Sequence, residues 1–326
     1  MPPKISIALA TYNGADYLQE QLESFRNQAR PPDELVVSDD ASTDQTLTIA
    51  EVFAAKAPFS VHVSQNHACM GSTKNFESAV SKCTGDIIFL ADQDDVWLPT
   101  KIELMAHYLT QNSKLGAIFC DARMCDEKLG DLGYNLWQAL WFKKAHQQKV
   151  QSGKAFEAFL QYPMVAGMTL AFRSRFRDLL LPFPEIKSSH DVWITLLCAA
   201  ISKVDLINKA LARHRVHASN LSGITLKNIY KQYLKARSQI NENRLQSVLE
   251  LHKALQARLS ENTIAFPVSA DVEHHLNQKI KHSQIRANMP ESAVKRLPFI
   301  YKELANQRYR RYSYGYKGVL QDLLLR

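Results

Sequence analysis

Short apolar runs alternate with stretches of helical period along the first 120 residues, and this alternation limits the chain to few folds. Ile5-Ser-Ile-Ala-Leu-Ala10 is the first run, and Thr11-Tyr-Asn-Gly14 follows it. Tyr17, Leu18, Leu22 and Phe25 then recur as on one face of a helix. Leu35-Val-Val37 runs into Asp39-Asp40, and Ser42-Thr-Asp44 is a cap for a helix expected over about 44–56. Ser60–Ser64 reads as strand, 72–82 as helix, Ile87–Ala91 as a fourth strand, about 99–111 as helix and Leu115–Cys120 as a fifth strand. Strands alternating with helices of this length make βαβ units and a parallel sheet. Near-continuous apolar strands are the mark of a sheet buried on both faces.

Ligands on such sheets bind beyond the carboxyl ends of the strands. Those ends carry Thr11-Tyr12-Asn13, Asp39-Asp40 and Asp92-Gln-Asp-Asp95. Carboxylates crowded at a strand end repel one another, and a cation is the simplest compensation. Mg2+ or Mn2+ suits hard oxygen ligands and takes one or two carboxylates together with substrate phosphates. A solvated acidic turn is the alternative. Asp39-Asp40 reads either as acceptor for a ribose or base N–H or as a turn and cap. His190-Asp191 precedes an apolar helix, where a carboxylate is also an ordinary cap. Arg213, His214, Arg215 and His217 form a cluster that suits phosphate or metal, or plain surface charge.

Other features exclude function classes. The chain has no GxxxxGK[ST], no GxGxxG after the first strand, no HExxH and no GxSxG. No run approaches the roughly 18 apolar residues that span a bilayer. The first residues lack the apolar core of a signal peptide, so a cytoplasmic location is expected. The five cysteines have no CxxC spacing and are expected to be reduced and mostly buried. Residues 124–155 are irregular, 164–172 read as a strand containing Gly167, 191–201 as helix and 203–216 as short strands. From about 225 the pattern is helical, with breaks expected near Pro267, Pro290 and Pro298.

Together these motifs resemble the family 2 glycosyltransferases of GT-A fold over about residues 4–220. The matching pieces are Ile5–Gly14, Val36–Asp44, Gly85–Trp97 and Ser189–Trp193, with Arg215-Val-His217 and Asn220–Gly223 as a further element. Within the family they are similar to the rhamnosyltransferase-like branch, which often shows His-Asp-Trp-Trp where this chain has Val192. The resemblance implies an α/β, Rossmann-like catalytic domain over 1–224, with a mostly parallel central sheet flanked by helices. Residues 225–326 form an α-helical C-terminal region. By position, it implies that Tyr12, Asp39 and Asp40 line the base pocket, with Thr11, Asn13 and Asn75 on the same nucleotide-sugar surface. Asp92 and Asp94 would be the metal-binding pair, with His217 beside metal and diphosphate, and Asp191 the catalytic base. Gly167, Met168, His190 and Arg215 would lie near the donor. The implied reaction is one inverting displacement with Mn2+ or Mg2+ as cofactor. The donor would be a nucleotide sugar of the dTDP-rhamnose or UDP-hexose type, and the acceptor a glycan or lipid-linked molecule of a bacterial surface polysaccharide such as lipopolysaccharide. A sugar nucleotidyltransferase and a non-catalytic binding module are the alternatives. The Gln-x-x-Arg-Trp element of processive synthases is missing, so a single addition is expected.

The positive charge sits at one end. Residues 221–326 carry a net +10, whereas the first 220 residues are at −2. A basic, aromatic and apolar end such as Arg308–Lys317 with Leu323-Leu-Leu325 suits an anionic membrane surface on the cytoplasmic face of the inner membrane. Packing on the catalytic domain or a homo-oligomer is the alternative. No nucleic-acid partner is expected, because no RNP, KH or zinc-finger pattern occurs.

Overall fold

In the computed structural model, residues 2–186, 188–218, 220 and 244–324 are described. The expected boundary at 224/225 and the motif residues Leu221–Gly223 lie outside them. The apolar runs become strands β1 (Ile5–Thr11), β2 (Glu34–Asp39), β3 (Ser60–Gln65) and β4 (Ile87–Asp92), all mutually parallel in the order β3-β2-β1-β4. Alternate residues of each strand serve opposite faces. Ile5, Ile7 and Leu9 of β1 and Ile87 and Phe89 of β4 pack with Leu18, Leu22 and Phe25, whereas Ala8, Ile88 and Leu90 join the core of the other face. The register sets Thr11 opposite Asp39, Ala10 opposite Asp92, and Asp39 opposite Gln65, so the polar strand ends form one row.

Helices α1 (Ala15–Arg26), α2 (Thr46–Ala54), α3 (Ser72–Lys82) and α4 (Lys101–Gln111) occupy the predicted crossovers. The remainder of the sheet is mixed. β5 (Val96–Trp97) runs antiparallel to β9 (Lys203–Arg215), and β6 (Leu115–Cys125) runs parallel to β9. β7 (Asp131–Asn135) pairs with β6, and β8 (Leu170–Arg173) lies antiparallel between β4 and β6. Two sequence expectations change here. Gly167–Thr169 form a 3-10 turn ahead of β8, closed by two bonds from Thr169 to the Ala166 carbonyl, rather than part of the strand. The expected short strands over 203–216 are one long strand with register shifts.

The irregular segment carries α5 (Leu136–Ala139), α6 (Lys144–Gln151) and α7 (Ala155–Gln161). Trp137 and Phe142 look polar-flanked in sequence, yet they bury their rings against Phe119 at 5.9 and 5.8 Å. Helices α8 (Arg177–Leu180) and α9 (His190–Ile201) complete the face. Four of the five cysteines are buried, and all are free thiols.

The C-terminal helices are α10 (Arg244–Glu261), α11 (Ala270–Ala287), α12 (Ala293–Ala305), α13 (Arg308–Tyr312) and α14 (Tyr316–Leu324). They pack on the α7–α9 side of the sheet. Leu251, Leu255 and Leu259 of α10 and Leu276 of α11 belong to the same core as Phe176 and Trp193. Arg258 caps the end of α8 by donating to the Leu179, Leu181 and Pro182 carbonyls at 2.7, 3.2 and 2.7 Å. Pro298 lies inside α12 and does not break it. The Val294 carbonyl, which loses its helical donor there, belongs to an exposed residue that solvent can serve.

Leu255 is fully buried at the seam between the two parts. Leu255→Ala is expected to cost about 2–5 kcal/mol in denaturant titration. It should leave a single transition, because both parts share one core.

Candidate active site

The loop after β1 is built by partners remote in sequence. The Gln93 side chain clamps the Tyr12 backbone from both sides, accepting from its N–H at 2.8 Å and donating to its carbonyl at 3.0 Å. Gly14 is required for this, since a Cβ there would sit 2.2 Å from Gln93 Oε1. Asn13 adopts a left-handed φ of 45°, steadied by Ser42 Oγ on its N–H and by its Oδ1 accepting from the Thr43 N–H. The result is an aromatic platform, the Tyr12 ring about half exposed at the end of β1.

Asp39 and Asp40 lie beneath that platform and are consumed by the protein. Asp39 accepts from Thr11 Oγ1, Ser42 N and Oγ, and Gln65 Nε2. Asp40 accepts from Asn66 Nδ2, Cys69 Sγ, Met70 N and Gly71 N, which ties down the loop ahead of α3. Burial opposes its charge, but those four donors hold the Asp40 carboxyl below the ordinary range. Asn75 is a buried strut between Asn66 and the Thr11 carbonyl. Thr11, Asp39, Asp40 and Asn75 therefore brace the loop after β1 from behind, and Tyr12 and Asn13 are its exposed residues.

At the end of β4, burial and then the Asp95 and Asp94 carboxylates push Asp92 well above the ordinary carboxylate range. Asp94 is raised by burial and by Asp95, against His217 and His214. Asp95 is wholly buried and accepts from His214 Nδ1 at 2.9 Å and from the Arg215 N–H at 3.2 Å. Burial alone would lower the His214 imidazole, but the Asp95 charge outweighs it and holds it at about 9. Arg215 is sequestered, donating to the Asp94 and Glu127 carbonyls and to Glu20 over the Tyr17 ring. His217 Nε2 and Asn220 Nδ2 both reach Asp94 Oδ2, at 2.8 and 3.0 Å.

This donor set fits a hard divalent ion. Among the described residues the Asp92 carboxylate has no hydrogen-bond partner, and His217 Nδ1 and Asp95 Oδ2 are buried without one. Asp92, Asp94 and His217 do not close a three-ligand cage by themselves. The trio of ligand atoms that does lie within 4.8 Å of one another among the described residues is Glu157, Asp271 and His275, between α7 and α11. The strand-end site thus offers a partial shell that substrate oxygens would complete.

Asp191 starts α9, and its charge is among those that raise Asp92. Its Oδ2 accepts from the Gly167 N–H at 3.2 Å, and its Oδ1 accepts from Ser189 Oγ and the Val192 N–H. Gly167 has to be glycine, because a Cβ would lie 2.7 Å from His190 Nε2. His190 is buried and stacked on Phe76 at 3.7 Å, so it is a packing neighbour of Asp191. Met168 is fully buried in the core.

Residues 6–162 match the sequence model of the family described as "Glycosyl transferase family 2". They are a family 2 glycosyltransferase domain. Relatives extend the match past Asp191. An uncharacterized glycosyltransferase of Rickettsia typhi is 26% identical over 227 residues, 69% of this chain and 67% of the relative. Abequosyltransferase RfbV of Salmonella typhimurium is 30% identical over 126 residues, 38% of this chain and 36% of the relative. Two solved structures share the GT-A fold along nearly the whole glycosyltransferase. S. aureus TarS 1–349 in complex with UDP-GlcNAc has a TM-score of 0.56 at 19% identity, covering 95% of this chain and 89% of that one. The Pyrobaculum calidifontis mannosyltransferase PcManGT in complex with GDP-Man and Mn2+ has 0.56 at 18%, covering 96% and 82%.

Sequence reading missed three parts of this candidate site. Gln93 is set in the turn between Asp92 and Asp94, where its side chain reaches the Tyr12 backbone. The Asp95–His214 pair needs the β5–β9 register to be seen. Lys101 is fully buried, with Nζ 3.5 Å from the Trp97 ring centre and donating to the Met168 carbonyl. Burial lowers it to about 8 against Cys120, Asp95 and Asp92. Its signal was its place one and two turns before Met105 and Leu109, on the buried stripe of α4.

His214 is held above its unfolded value of about 6.5. Its pairing with Asp95 therefore stabilises the fold fully below about pH 6.5, and that contribution is lost as pH rises through about 9. His214→Gln should be less stable than wild type in urea titrations near pH 6 and converge on it at about pH 10.

Proposed function

We propose that this glycosyltransferase moves one sugar, with inversion, from a nucleoside diphosphate sugar to a hydroxyl of a glycan or lipid-linked acceptor in bacterial surface-polysaccharide synthesis. The observation that carries the reading is a carboxylate at the start of α9, Asp191, within electrostatic reach of the acidic strand end at Asp92. The Tyr12 platform stands at the neighbouring strand end. Its register partner row holds Ala10 opposite Asp92. A base stacked on Tyr12 and a diphosphate near Asp92 and Asp94 leave the anomeric carbon toward Asp191.

In this reading Asp191 takes the proton of the acceptor hydroxyl as that oxygen forms its bond to the anomeric carbon. The bond from that carbon to the diphosphate breaks, and its electron pair leaves with the nucleoside diphosphate. The Gly167 N–H and Ser189 Oγ orient the carboxylate for the transfer. Asp92, Asp94 and His217 would hold Mn2+ or Mg2+, which when bound offsets charge on the diphosphate oxygens. The complexes of TarS with UDP-GlcNAc and of PcManGT with GDP-Man and Mn2+ support a nucleotide-sugar donor and a divalent ion. The names of the abequosyltransferase and of the chondroitin synthase of Escherichia coli support polysaccharide synthesis. The donor proposed is of the dTDP-rhamnose or UDP-hexose type. The place of action proposed is the cytoplasm, at the inner leaflet of the membrane.

A panel of nucleotide sugars screened by thermal shift tests the reading. One donor should raise Tm in the presence of Mn2+, through a stabilisation of about 2.7 kcal/mol at a hundred times its Kd. No shift with any nucleotide sugar would overturn it. Asp191→Asn should lower transfer by about 10²–10⁴-fold while calorimetry finds donor affinity unchanged; lost donor affinity would make Asp191 a binding residue. Asp94→Ala should weaken donor binding in Mn2+ and leave the metal-free value unaltered.

A further inference from the structure

Helix α12 buries one face and leaves an apolar stripe uncovered by any described residue. Arg296, Ile300 and Glu303 point inward, whereas Val294, Leu297, Tyr301 and Leu304 recur at helical spacing and are 74, 50, 76 and 40% exposed. Helix α14 packs beside α12 through Ile300, Val319 and Leu323, and adds Leu320 and Leu324, one turn apart and 53 and 72% exposed. Isolated exposed leucines are ordinary, but six large apolar side chains on two adjoining helices are a patch.

The exposed charge along these helices is mostly positive. Most of the acidic charge of this region is drawn inward. Glu303 pairs with Arg308 and His282, and Asp322 pairs with Arg286, accepting also from Tyr309 Oη. The exposed charges between residues 291 and 324 are then Lys295, Lys302, Arg310, Arg311 and Lys317, with Glu291 the sole exposed acid. On α12 the two lysines fall about 80–100° around the helix from Val294, on the flank of the stripe away from the buried face.

We propose that this face seats α12 and α14 on an anionic lipid surface, with the apolar stripe at the headgroup boundary and the flanking lysines on lipid phosphates. A second copy of the chain fits less well, because a two-fold contact through this face would set its cations against one another. Nucleic acid would use the cations and leave the aliphatic stripe bare. Among the described residues no helix is long and apolar enough to cross a membrane, so the contact is with a surface. The inference rests on the functional reading only in giving a lipid-linked acceptor a place to meet the enzyme. Docking itself is measured without donor.

The test is co-sedimentation of the full chain with vesicles of equal parts phosphatidylglycerol and phosphatidylcholine, against phosphatidylcholine alone. Binding is expected to the anionic vesicles only and to weaken with salt. Lys295→Gln and Lys302→Gln should each lower the partition coefficient by about fivefold. Leu297→Glu with Tyr301→Glu should abolish binding with Tm and the donor-induced thermal shift unchanged, since both side chains are exposed. Absence of binding to anionic vesicles, or undiminished binding by the double variant, overturns the proposal. A dimer in ultracentrifugation that the double variant dissolves, without vesicle binding, would assign the face to a second copy. Equal retention on single-stranded RNA and on vesicles would assign it to polyanions in general. None of these outcomes bears on Asp191, whose variant is read by transfer and donor calorimetry.

Discussion

Three carboxylates within four residues at one strand end are the constraint the rest of the site answers. Asp92, Asp94 and Asp95 cannot all be charged in a buried place without compensation. The fold supplies part of it. His214 is held protonated against Asp95, Lys101 is sealed under the cluster against Trp97, and Arg215 is threaded past Asp94 toward Glu20. Asp92 is left without a side-chain donor among the described residues, and burial and its acidic neighbours raise it.

Lys101 also links the two halves of the cleft. Its ammonium lies against Trp97, which follows the acidic run, and donates to the Met168 carbonyl. The neighbouring Gly167 N–H holds Asp191. A buried cation thus joins the acidic strand end to the turn that orients the carboxylate of α9. Removing the charge would disturb both, which is a different role from that of a residue touching substrate.

The fold was readable because strands buried on both faces leave continuous apolar runs, and β1, β2 and β4 did so. The site was readable as residue types at strand ends. Which of them face the cleft was not, because that depends on donors distant in the chain. Asp40 looks like a ligand group in sequence, and its four partners come from residues 66–71. Gly167 looked like a strand residue, because its reason for being glycine is His190, more than twenty positions later. The net charge of the C-terminal third does not tell its cations apart: Lys279, Arg286, Arg296 and Arg308 are buried with partners, whereas Lys295, Lys302, Arg310 and Arg311 are exposed.

The clamp of Gln93 on Tyr12 has a mechanical consequence. Gln93 is covalently flanked by Asp92 and Asp94, so the aromatic ledge and the acid pair cannot slide independently. Their separation is a built-in gauge, set before any ligand arrives. Any molecule that bridged the two ends would meet a spacing already set, with the ordering cost of the two loops met in folding.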